Sequence, residues 1–378
     1  NSAGADDWKV AVNGVATNIS SAFSALAGIF FNVKDPTYGA VGDGVTDDTT
    51  AITLAITAAA AAGGGIVYFP PTTSFYKFTT LSITSAGITL MGCGPEASEL
   101  RSAATSDVNI ALSGAATGDW LRLIGLSITA TGANANPIIQ IGSGMNVLID
   151  NCEIDGATLT GHTIRKTSGS PLTFINIRGS KIFVGVGATS VFNNAADDNK
   201  CFFTITDCFI KFPASFVGFG VLGPNFSVSK CIFDGSLVTT GLYKHIDSAS
   251  STTAGKYIGS FVSNTFIDGG STGFVFHLGS IATGSDFSES DNIFIGFTEP
   301  AAITSAGQIY NISHNAADAY RVHLGSRNGR TIEITHASTG TVIPLVFASY
   351  EVVFINYTAA GNITFEAPIT VMTNGARA

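Results

Sequence analysis

Charge is scarce in this sequence. Only 12% of its 378 residues are Asp, Glu, Lys or Arg, about half the usual share. A helical bundle needs long charged side chains on its outer faces, so the composition argues against one. No run of Lys or Arg stands out, and the formal net charge is −9. Phosphate binding rests on clustered cations, so no nucleic-acid partner is expected. The longest apolar stretches are broken within ten or so residues by Gly, Ser or Asn. A membrane-spanning helix needs about 20 apolar residues, so no membrane insertion is expected either. Five cysteines, an odd number without paired spacing, do not make a disulfide framework.

What the chain has instead is Gly, Ser, Thr, Asn and β-branched residues, the vocabulary of strands and tight turns. A repeat organises them. Val147-x-Ile149-x-x-Cys152-x-Ile154 recurs as Ile175-x-Ile177-x-x-Ser180-x-Ile182, as Phe203-x-Ile205-x-x-Cys208-x-Ile210 and as Phe226-x-Val228-x-x-Cys231-x-Phe233. Leu121-x-Leu123-x-x-Leu126-x-Ile128 precedes them, and Ser260-x-Val262-x-x-Thr265-x-Ile267 follows. The anchors are Cys93, Leu126, Cys152, Ser180, Cys208, Cys231, Thr265, Asn292 and Asn315, at intervals of 23 to 34 residues. Alternation on each side of an anchor reads as a strand. The two-residue step between strands reads as a bend, with Asn151, Gly179, Asp207, Lys230 and Asn264 before the anchor. Strands that turn a corner and return at a near-constant interval stack as parallel coils. The expected fold is all-β, a right-handed single-stranded parallel β-helix.

On this alignment Cys93, Cys152, Cys208 and Cys231 share the inward anchor column as small buried hydrophobes, and Cys201 has no assigned role. Glu289 falls on an inward apolar column, where a lone carboxylate is costly, unless the register slips there. Glu153 over Lys181 and Asp150 over Arg178 read as cross-coil ion pairs.

Before the repeats stands Tyr38-Gly-Ala-Val-Gly-Asp-Gly-Val-Thr-Asp-Asp48, then an Ala-rich segment, then Gly63-Gly-Gly65-Ile-Val-Tyr-Phe-Pro-Pro71. Thr46 or Asp47 can N-cap a helix near 47–62, which would cover the first coil. Asp43, Asp47 and Asp48 read as turn and capping groups, and no metal or cofactor is called for. This block resembles the N-terminal signature of the pectate-lyase-like superfamily. The resemblance implies a right-handed β-helix opened by a cap, shared by polygalacturonase-like hydrolases, lyases and the tailspike or appendage proteins of bacteriophages. It carries over no catalytic residue: Asn-Thr-Asp, Gly-Asp-Asp and Gly-His-Gly are all missing. Gly161-His162-Thr163 with Arg165 and Lys166 only echoes the hydrolase elements.

The alignment offers its own candidates. The third position after each anchor points outward, placing Asp234 and Asp268 on adjacent coils beside Lys211. Two carboxylates about 5 Å apart suit a retaining glycosidase, and an Asp-Gly turn at each is the alternative. His245 and Asp247 fall in the long interval after Cys231, expected to be a loop near Lys211 and able to bind substrate. The first position reads Phe209, Ile232, Phe266, Ile293, an apolar stripe that implies a covering loop or a subunit interface. The resemblance to tailspikes favours a homotrimer.

Residues 1–32 read as a helical attachment segment contacting virion tail or adaptor proteins, 33–320 as the β-helix, and 321–378 as a β-rich C-terminal segment. Three functions compete. The first is a phage tailspike-like receptor-binding protein on the virion that recognises, and in one form degrades, host cell-surface polysaccharide. The second is a secreted, extracellular hydrolase or lyase of the polygalacturonase or pectate-lyase type. The third is a structural virion adhesin without catalysis.

Overall fold

The computed structural model describes residues 29–295 apart from short connecting segments. It also describes strands at Lys9–Val12 and Val15–Asn18 and five more from Tyr320–Gly325 to Thr364–Glu366. Three sheets carry the molecule. The first has 11 strands from Phe30–Asn32 to Tyr320–Gly325, the second nine and the third eight. Each coil gives one strand to each sheet in turn, as Asn146–Asp150, Glu153–Asp155 and His162–Lys166 do. Neighbouring coils pair in parallel throughout. This is the right-handed parallel β-helix that the repeat implies.

The corner between first and second sheets is a chain of left-handed residues. Gly125, Asn151, Gly179, Asp207, Lys230 and Ser263 all have φ between 50° and 62°. Asn, Asp and Gly adopt that conformation at little cost, which is why they recur there. The residue after each bend turns inward. Cys152, Ser180, Cys208 and Cys231 hold this column, all at 3% exposure or less. The Cys152 N–H donates to Ser180 Oγ at 3.1 Å, and the Cys231 N–H to Asn264 Oδ1 at 2.9 Å. Asn264 N–H donates to Asn292 Oδ1 at 2.8 Å. Each anchor side chain thus satisfies an amide of the coil before it. Inside, Phe203 stacks on Phe226 at 4.8 Å and Phe233 on Phe266 at 5.0 Å between ring centres.

Two anchors differ from the sequence alignment. Cys93 is exposed, because residues 93–97 form a longer corner and wholly buried Ser98 takes the column. The second is Asn264, which displaces Thr265, with Ser263 rather than Asn264 in the left-handed bend. The shift buries both Phe261 and Phe266, each worth about 1.5–3 kcal/mol. It also lets the Asn264 carboxamide reach two carbonyl oxygens and the Cys231 amide. Thr265 at the anchor would have turned both rings to solvent. Glu289 pairs in register with Phe261 and Leu324. Asn315 and its neighbours lie outside the described residues.

Helix α1, Thr49–Ala61, caps the first coil with Ala51, Ile52, Ala55, Ile56 and Ala59 buried. Its N-cap is Asp48, not Thr46 or Asp47. The buried Asp48 carboxylate accepts the N–H groups of Val41 at 2.7 Å and Gly42 at 3.1 Å. It therefore ties the glycine-rich loop to the helix start rather than capping the helix itself. Asp43 and Asp47 likewise accept local N–H and hydroxyl bonds. Near the N-terminus, Lys9–Val12 pairs antiparallel with Val15–Asn18, a β-structure where helical spacing was expected. Residues 19–28 lie outside the described residues. Thr331–His336 pairs in parallel with Val352–Tyr357.

Candidate functional site

The register shift at Asn264 decides the fate of the carboxylate pair. Asp234 pairs with Ile267, while Asp268 pairs with Gly235 and is buried at 7% exposure. The two acids therefore stand in different columns on opposite faces, not side by side. Asp234 follows Lys211 in register on the outer face, and its Oδ1 accepts the Ser236 N–H at 3.0 Å as an Asp-Gly turn does. Phe266 is wholly buried, so it leaves the outer stripe and Thr265 replaces it between Ile232 and Ile293. Phe209, Ile232 and Ile293 remain there, with Ile232 at 40% and Ile293 at 56% exposure. Ile295 at 49% extends the patch. His245 and Asp247 lie within a third-sheet strand, Lys244–Asp247, rather than a loop.

A second corner runs along the third sheet. Ile138 and Ile139, Thr163 and Ile164, and Val191 and Phe192 are consecutive buried pairs, which breaks strict alternation. Residues flanking these pairs converge on the other side. His162 is in register with Ser190, and Arg165 with Asn193, one coil apart. The His162 Nδ1 lies 2.7 Å from Ser190 Oγ and 3.1 Å from Thr189 Oγ1. Asn193 Nδ2 is 3.4 Å from Nδ1 and 3.5 Å from Nε2. Burial pushes His162 down to about 4, with the positive charge of Arg165 acting in the same direction. The imidazole is therefore neutral in the physiological range.

Two polar atoms of this cluster are buried without a hydrogen-bond partner among the described residues: Arg165 Nε and Asn193 Oδ1. A buried unmade hydrogen bond costs about 1–3 kcal/mol, so these enclosed atoms are a local cost of the cluster, while the partly exposed His162 and Arg165 present its polar face. Ser190 beside His162 resembles a nucleophile and base. Yet Ser190 is wholly buried, so its hydroxyl fixes the imidazole rather than meeting a substrate. Asp247 continues the column that runs Arg165, Asn193, Leu222. Among the described residues no three His, Cys, Asp or Glu side chains converge as a metal site would require.

The motif at residues 161–166 was visible in the sequence, but its partners Thr189, Ser190 and Asn193 were not singled out. The signal existed: His162 to Ser190 is 28 residues, the same interval as Cys152 to Ser180.

A capped three-sheet parallel solenoid is the architecture of a pectate-lyase-like β-helix protein. The model of the family described as Rhamnogalacturonase A/epimerase, pectate lyase-like, matches residues 30–245, and the chain belongs to that family. No curated protein matches it. Among solved structures it is similar to ORF18 of Geobacillus virus E2 at 17% identity and a TM-score of 0.36. That match covers 78% of this chain and 66% of the viral one. PfbA, a surface adhesin of Streptococcus pneumoniae, matches at 14% identity and a TM-score of 0.45, covering 92% of this chain and 95% of its own. An exopolygalacturonase of Thermotoga maritima matches at 10% identity and a TM-score of 0.30, covering 89% and 90%. No helix among the described residues is long and apolar enough to cross a membrane.

Proposed function

We propose that the chain recognises polysaccharide through the third sheet, as the β-helix of a tailspike-like receptor-binding appendage on a virion. Family membership supports a polysaccharide ligand. The observation that carries the reading is the cluster of partly exposed His162 and Arg165 with Asn193 on neighbouring coils of the third sheet, the imidazole being neutral. A sugar hydroxyl both donates and accepts, so a saccharide laid over this face can bond to both the imidazole and the guanidinium. Asp247 and His245, further along the same sheet, are proposed to extend the contact. The outer stripe of Phe209, Ile232 and Ile293 is proposed as the homotrimer interface. Lys211 and Asp234 would then line a groove between chains, open to a second stretch of glycan.

The test is binding of host surface polysaccharide by calorimetry. Arg165→Gln and Asn193→Ala are each expected to weaken affinity tenfold or more while circular dichroism stays unchanged. Unaltered affinity in both variants would reject the site. Assay of new reducing ends and of unsaturated products in the same mixtures separates cleavage from binding alone.

A further inference from the structure

Coil stacking brings together two thiols that lie 23 residues apart in sequence. Cys208 and Cys231 hold the inward column on consecutive coils, and the strands that follow them pair Phe209 with Ile232. The Cys208 N–H donates to Cys231 Sγ at 3.5 Å. Adjacent parallel strands stand about 4.8 Å apart, inside the Cα separation of about 4.4–6.8 Å that a disulfide accepts. The thiols also act on one another. Contact with Cys231 holds the Cys208 thiol below its ordinary value, and contact with Cys208 pushes Cys231 up. Cys152 is separated from Cys208 by the coil of Ser180, Cys93 is exposed at its long corner, and Cys201 begins a first-sheet strand.

We propose that Cys208 and Cys231 form a modification site, closing to a disulfide that staples two consecutive coils when the protein meets a peroxide. The Cys208 thiolate attacks one peroxide oxygen, giving a sulfenic acid and releasing water once protons are balanced. Cys231 sulfur then attacks that sulfenic sulfur and expels a second water. Two thiols and one hydrogen peroxide thus become one disulfide and two waters. Both sulfurs are buried, so the small oxidant enters during brief opening of the coil. The same burial shields the finished bond from thiol reductants. This site does not depend on the glycan reading.

The experiment uses the full chain carrying Cys93→Ser, so that the exposed thiol cannot cross-link two molecules. The protein is treated with hydrogen peroxide, unfolded, alkylated and mapped by mass spectrometry. Two of the four remaining thiols are expected to escape alkylation, in a peptide joining Cys208 to Cys231. The thermal midpoint should rise after oxidation, and Cys231→Ser should abolish the rise. Four alkylated thiols after oxidation, or a bond joining another pair, would overturn the proposal.

Discussion

Asn264 is wholly buried, and its carboxamide accepts from the Cys231 amide while donating to Val228 O at 3.0 Å. Asn264→Ala would leave that amide and that carbonyl unsatisfied inside the coil. A loss of about 2–3 kcal/mol follows, read as a lowered denaturation midpoint, whereas Thr265→Ala next to it should cost much less. His162 gives a pH dependence at the same scale. Its folded value of about 4 lies below the ordinary 6.5, so the unfolded chain binds a proton that the folded one refuses. Stability contributed by His162 therefore falls as pH drops from 6.5 towards 4 and changes no further below that. His162→Gln should flatten the slope of midpoint against pH over that window. The anchor column was legible in the sequence because Cys, Ser and Asn are small enough to share one buried place. The choice between Asn264 and Thr265 was not. It depends on where two Phe rings go, and both registers alternate equally well on paper.

Between sheets, the corners are where sequence and geometry meet most tightly. Gly179 has φ +56° with no atom nearer than 4.0 Å to an added Cβ, so Gly179→Ala should cost only the left-handed backbone, about 1–2 kcal/mol. At Gly185 a Cβ would stand 2.1 Å from Gly156 O and under 3 Å from the Leu159 backbone. Gly185→Ala should therefore give little or no folded protein, judged by soluble yield and circular dichroism. The first corner could be read from Asn151, Gly179 and Asp207, residues that tolerate positive φ. The third-sheet corner could not, since its mark is two adjacent buried residues such as Val191 and Phe192, which look like any apolar pair. Thr189, Ser190 and Asn193 lie around that corner, and so the site built on them stayed hidden.

Over the whole molecule, stability is close to a sum over neighbouring coils, and the outer faces are free to carry function. The exposed isoleucines of the second sheet are the clearest case. Ile232→Lys with Ile293→Lys should convert a trimer to monomer in light scattering, with the far-ultraviolet spectrum retained. A native protein that is already monomeric would remove the proposed interface. The cap, the handedness and the stacking of coils were readable from motif and period, because repetition multiplies a weak pattern. The carboxylate pair was not secure for the same reason, since one shifted residue moves a whole column to the other face.

The inward ladder also has a direction. Each anchor amide waits for a side chain that belongs to the next coil, as Cys231 waits for Asn264 and Asn264 for Asn292. The inward hydrogen bonds of a coil are thus complete only when the following coil is in place. The tip of a growing solenoid leaves its last anchor amide, with the open edges of its three strands, to water until the next coil covers them.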